Sequence, residues 1–94
     1  MIPNPAICPI KILAHIDVGF GNKLAIHGTW AGKGNWEIGV PMKCIGPRLW
    51  EVFIAATQPI EYKLVLNQKY WEIGENHTAN PGSSYGINPL FSVK

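Results

Sequence analysis

The sequence predicts an all-β chain, a two-sheet antiparallel sandwich of about seven short strands. Three observations carry this. Apolar residues recur at alternate positions through most of the chain, the mark of strands buried on one face. Turn-forming residues interrupt the alternation roughly every 8–12 residues, and no stretch sustains a helical period. Ten glycines and eight prolines in 94 residues, against 15% charged residues, suit many tight turns better than long solvated helices. A chain of this length forms one domain, residues 1–94, and buries roughly 60–65% of the surface of its unfolded form, enough for one modest core.

Each element follows from its own pattern. In IKILAHIDV the apolar Ile10, Ile12, Ala14, Ile16 and Val18 alternate with Lys11, His15 and Asp17, which gives a half-buried first strand. GFGN, residues 19–22, is a turn, and KLAIHGTW resumes with Leu24 and Ile26 inward and Lys23 and His27 outward. AGKGN, residues 31–35, is a loop by its glycines and ends at Trp36. VPMKCI makes a short strand whose Pro41 marks an edge or a strand start. LWEVFIAA aligns Trp50, Val52 and Ile54 on one face, so Trp50 is expected in the core. IEYKLVLN sets Ile60, Tyr62, Leu64 and Leu66 against Glu61, Lys63, Val65 and Asn67, then turns near Asn67 and Gln68 into KYWEIG, the strongest hairpin signal in the chain. After the turn Pro81-Gly82-Ser83-Ser84, SYGINPLF makes the last strand, broken near Pro89.

Charge and cysteine usage exclude several functions. The net charge is +2 and the basic residues are scattered, so no stripe suited to nucleic acid is present. No run of about 18 apolar residues is found, and MIPNPAICPIKILA lacks a charged start and an unbroken apolar run, so a soluble, cytoplasmic protein is expected. Cys8 and Cys44 have no metal-ligand spacing and are expected as buried reduced thiols, with a Cys8–Cys44 bridge as the alternative. His15 and His27, at polar strand positions, are expected to be solvated, and no metal or other cofactor is implied.

The succession of GNWE at 34–37, LW at 49–50, EYK at 61–63 and WEIGEN at 71–76 resembles the starch-binding domains of the family 20 carbohydrate-binding modules. The glycogen-binding modules of family 48 share some of these elements; the WE-x-x-x-Asn ending favours family 20. The likeness covers residues 12–91, and EYK followed by WExGEN is its most specific part. It implies an immunoglobulin-like sandwich that binds α-glucan without cleaving it. It also implies a main site of Trp36, Lys63, Trp71 and Asn76, with Trp30, Phe20 and Glu72 as secondary candidates. Trp30 could extend the platform or cap the core. The family's second site takes an aromatic from the turn where Phe20 stands and residues from the loop before LW. That loop is here only CIGPR, and His77 stands where the family commonly has arginine.

The site is also chemically coherent. A pyranose ring stacks its C–H face on an indole, and its rim hydroxyls bond to groups such as lysine and asparagine. Lys63 as a solvated lysine and Asn76 as a turn residue are the plain alternatives. The hairpin sets a condition. A two-residue loop pairs Leu64 with Trp71 and puts the indole on the face opposite Lys63, whereas a three-residue loop pairs Val65 with Trp71 and puts the two on one face. Hydrolysis is not expected, because a glycosidase sets two carboxyls about 5–9 Å apart in a cleft, and Glu37, Glu72 and Glu75 lie beside an open surface. The competing reading is a protein-interaction sandwich whose exposed tryptophans, Trp30, Trp36 and Trp71, meet a polypeptide partner.

Overall fold

The computed structural model describes residues 8–29, 36 and 39–92. Among the described residues there are nine strands and no helix: β1 (Cys8–Ala14), β2 (Leu24–Thr29), β3 (Val40–Pro41), β4 (Lys43–Gly46), β5 (Leu49–Ala56), β6 (Ile60–Leu66), β7 (Tyr70–Trp71), β8 (His77–Ala79) and β9 (Ser84–Ile87). They form two sheets. The first has the order β4-β5-β1-β9; the second has the order β3-β2-β6-β7, with β8 also on β6. The all-β sandwich is therefore the fold, with one departure from antiparallel pairing: β9 runs parallel to β1.

Alternation places the core as expected. Ile10, Ile12 and Ala14 of β1, Trp50, Val52 and Ile54 of β5, and Ile60, Tyr62 and Leu64 of β6 are buried between the sheets. Ile16 and Val18 continue the inward face beyond the end of β1 and pack against that core. The VPMKCI stretch is two strands rather than one. Val40 and Pro41 pair with β2 in the second sheet, and the chain crosses at the buried Met42 to pair Lys43 and Cys44 with β5 in the first. Pro41 thus lies on a sheet edge, where its missing N–H breaks no ladder.

The expectations for Cys44 and for a bridge change, while the side chain of Cys8 lies outside the described residues. Cys44 is exposed on the edge strand β4, its thiol donating to the carbonyl of Gly46 at 3.2 Å. Cys44 pairs with Trp50, which faces Ala14, whereas Cys8 faces Ala56 at the other end of the same strands. The two cysteines are separated by six residues of strand, about 20 Å at the usual rise, so they cannot form a bridge.

Candidate functional site

The hairpin that bears Trp71 turns through Asn67 and Gln68, both in the left-handed region with φ of 55° and 59°. Lys69 N–H donates to the Leu66 carbonyl at 3.0 Å, and pairing resumes one residue later, Leu66 with Tyr70 and Val65 with Trp71. The connection therefore spans three residues, and Lys69 is the extra one. Val65 and Lys63 lie on the same face of β6, so the odd loop brings Trp71 to the lysine's side of the sheet. This is the outer face, away from the core.

On that face two indoles meet. The rings of Trp36 and Trp71 have centroids 6.3 Å apart with planes inclined at 37°. Trp71 is 45% exposed, and Trp36 is half-buried. Lys63 is half-buried and pairs across the strands with His27, and among the described residues its ammonium enters no ion pair. Trp30 lies outside the described residues, as does Glu37.

His27 corrects a sequence expectation. It points outward as predicted, yet it is only 3% exposed. Its ring is 5.2 Å from the Trp71 ring, and its Nδ1 is 3.1 Å from the Trp36 carbonyl. Because β6 lies between β7 and β2, an indole that reaches His27 crosses β6, which accounts for the burial of Val65 on the outer face. Alternation reports which way a side chain points; it carries no information about what later covers it.

Strands β7 and β8 share one edge of β6, with a shift of three residues in register between them. Trp71 ends the first piece and Asn76 immediately precedes the second. The break leaves Leu64 without a ladder donor–acceptor partner beyond the first bond, in which Glu72 N–H donates to the Leu64 carbonyl at 2.9 Å. The Glu72 carboxylate supplies the rest. It accepts from Leu64 N–H at 3.2 Å through Oε1 and from His77 Nε2 at 2.7 Å through Oε2. Glu72 is 5% exposed and both its oxygens are engaged, so it is a clasp across the break rather than the secondary ligand contact that the resemblance implies. Ile73, Gly74 and Glu75 bulge outward, Gly74 with φ of 109°, and Asn76 is left exposed. Beneath the clasp the Tyr62 ring lies 5.1 Å from the His77 ring. Burial, then the Glu72 charge and the nearby Tyr85, push the Tyr62 phenol well above its ordinary range.

A second aromatic location lies at the turn between β1 and β2, lined by residues that the platform does not use. Phe20 projects wholly into solvent from a turn whose Gly19 and Gly21 both have positive φ. It lines a shallow pocket of about 270 Å³ with Asp17, Cys44, Pro47 and Trp50. Trp50 is 8% exposed and belongs to the core, as its alternation predicts. The structure thus gathers Trp36, Lys63 and Trp71 on one face with Asn76 on the adjoining bulge, and sets Phe20 apart from them. Of the residues that build the site, sequence reasoning missed His27 and the role of Glu72. The signal available for Glu72 was its spacing from His77 across a glycine-bearing bulge.

Comparison with known proteins supports the architecture. No family model matches the chain, and no curated protein matches it. Among solved structures, the chain is similar to a glycoside hydrolase family 15 glucoamylase from Hypocrea jecorina, with a TM-score of 0.75 and 19% sequence identity. The match covers 92% of this chain and 18% of the glucoamylase, so the chain spans less than a fifth of that protein's length. At this identity the likeness is one of fold.

Proposed function

We propose that the chain is a non-catalytic module that binds α-glucan, such as starch, glycogen or a maltooligosaccharide. The Trp36–Trp71 pair carries the reading: two accessible indoles, inclined at 37°, present faces that can follow the curve of an α-1,4-linked chain. Lys63 beside them and Asn76 on the bulge would bond the sugar hydroxyls and set their register. The resemblance of EYK and WEIGEN to the family 20 modules points the same way, as does the structural likeness to part of a glucoamylase. Glu72, which directly follows Trp71 in sequence, is already bonded to Leu64 and His77, which favours binding over hydrolysis. An open platform of this kind holds a flexible glycan at roughly micromolar to millimolar strength.

The test is a titration of β-cyclodextrin or maltoheptaose followed by tryptophan fluorescence, on wild type and Trp71→Ala. The wild type responds saturably and the variant loses the response. A folded wild type that ignores both sugars would move the assignment to a protein partner for the same indoles.

A further inference from the structure

His27 stands beneath the platform, and three observations tie it to both indoles. Its Nδ1 lies 3.1 Å from the Trp36 carbonyl, and a carbonyl can only accept, so Nδ1 carries the proton and donates. Its ring meets the Trp71 ring at 5.2 Å with planes tilted by 59°. Its Nε2 is buried and has no hydrogen-bond partner among the described residues. The ring is also held from below. A Cβ placed on Gly39 would come within 2.4 Å of Nε2 and 2.6 Å of Cδ2, so only glycine leaves room for the imidazole at this depth. Gly39 therefore fixes how far the ring can sink.

We propose that His27 is the positioning residue of the sugar platform, a brace that holds the Trp36 backbone and the Trp71 indole at their mutual distance and inclination, with Gly39 as its seat. His27 would not touch the ligand; it would act through the two residues that do. The inference rests on the proposed glucan reading for its use, though not for its geometry. Two charged side chains of β6 share this outer face, the exposed Glu61 and Lys63; Lys63 is the cross-strand partner of His27 and belongs to the proposed ligand contacts.

The role divides into two parts that substitutions can separate. His27→Asn keeps a short donor for the Trp36 carbonyl and removes the ring beneath Trp71. His27→Phe keeps the ring and removes the donor. Gly39→Ala leaves both indoles, Lys63 and Asn76 intact and displaces the imidazole. Each variant is compared with wild type by thermal unfolding, by the exciton couplet of the indoles in the circular dichroism of the unliganded protein, and by β-cyclodextrin titration. The couplet weakens in all three folded variants, and affinity falls roughly tenfold in His27→Phe and Gly39→Ala, equivalent to about 1.4 kcal/mol. His27→Asn recovers part of the affinity, which a purely space-filling residue would not allow. Unchanged couplets in the folded variants overturn the proposal. So does a long-range proton–nitrogen spectrum of the wild type showing His27 with its proton on Nε2 alone, a measurement that needs no variant to fold. A couplet that responds to His27 in a wild type that binds no sugar would reject the glucan reading and leave the brace standing.

Discussion

The two aromatic locations of this molecule are built in opposite ways. Trp71 sits on the outer face of a sheet, half exposed, with His27 beneath it and Trp36 beside it. Trp50 sits between the sheets, in contact with solvent only through a shallow pocket, and its companion Phe20 stands free on a glycine turn. The first pair is held in a mutual geometry by polar groups: the Nδ1 donor of His27, and the Glu72 clasp that fixes the ends of the bulge. The second is one core residue and one unsupported ring. An exposed aromatic whose orientation is fixed has lost its rotamer freedom before any ligand arrives, and only that arrangement turns area into affinity. Stability and binding should therefore part company between the two locations.

The largest effect separates them by stability. Trp50→Ala removes a buried indole from between the sheets, at an expected cost of about 3–5 kcal/mol in denaturant unfolding. For a domain of this size that is a large share of the total, roughly 5–14 kcal/mol. A cost below 1 kcal/mol would contradict the placement of Trp50 in the core. Trp71→Ala should reverse the pattern, with a smaller loss of stability and a loss of sugar affinity of about 2 kcal/mol or more, the scale of a binding hot spot. Isothermal titration with β-cyclodextrin on both variants makes the comparison directly. Equal affinity losses would erase the distinction.

A third effect is read from pH and belongs to the first location alone. The Tyr62 phenol beneath the Glu72–His77 clasp has a folded pKa raised above its unfolded value near 10. Such a group contributes stability that is fully present below the unfolded pKa. The contribution is lost as pH rises from there through the folded pKa, because the unfolded chain ionises first. Stability should fall by up to about 1.4 kcal/mol per pH unit in that alkaline window. Tyr62→Phe should flatten this part of the profile, and a slope unchanged by the substitution would assign it to other groups.

How much of this was written in the sequence depends on range. The inward faces of β1, β2, β5 and β6 were legible because alternation is local and each strand repeats it several times. The shared face of Lys63 and Trp71 was legible only as a condition, since NQK allows either loop and only the register of the folded hairpin, Leu66 with Tyr70 and Val65 with Trp71, settles which one forms. His27, Cys44 and Glu72 were misread for one reason. Each was judged by residue type and strand position, while its environment is set by partners far away in the chain or by a break in pairing. The strand β8 was hidden because HTA has no apolar alternation of its own; it exists through its register with Ile60, Glu61 and Tyr62.

The smallest predicted effect is the most informative about Phe20. The side chain is as exposed as in an extended chain, so Phe20→Ala should change stability by no more than about 0.5 kcal/mol. Its effect on glucan binding follows from the comparison above. The ring has no neighbour that fixes its orientation, and the flanking Gly19 and Gly21, both at positive φ, leave the turn without side chains to lean on. A sugar that stacked there would have to order the ring and contribute the whole cost of doing so, with Asp17 as the charged neighbour in the pocket. The expected outcome is a β-cyclodextrin stoichiometry of one in both wild type and Phe20→Ala, with affinities within about twofold, less than 0.5 kcal/mol. A wild-type stoichiometry of two that falls to one in the variant would show that the glycine turn supports a second sugar contact, and that fixed orientation is not required for stacking on this fold.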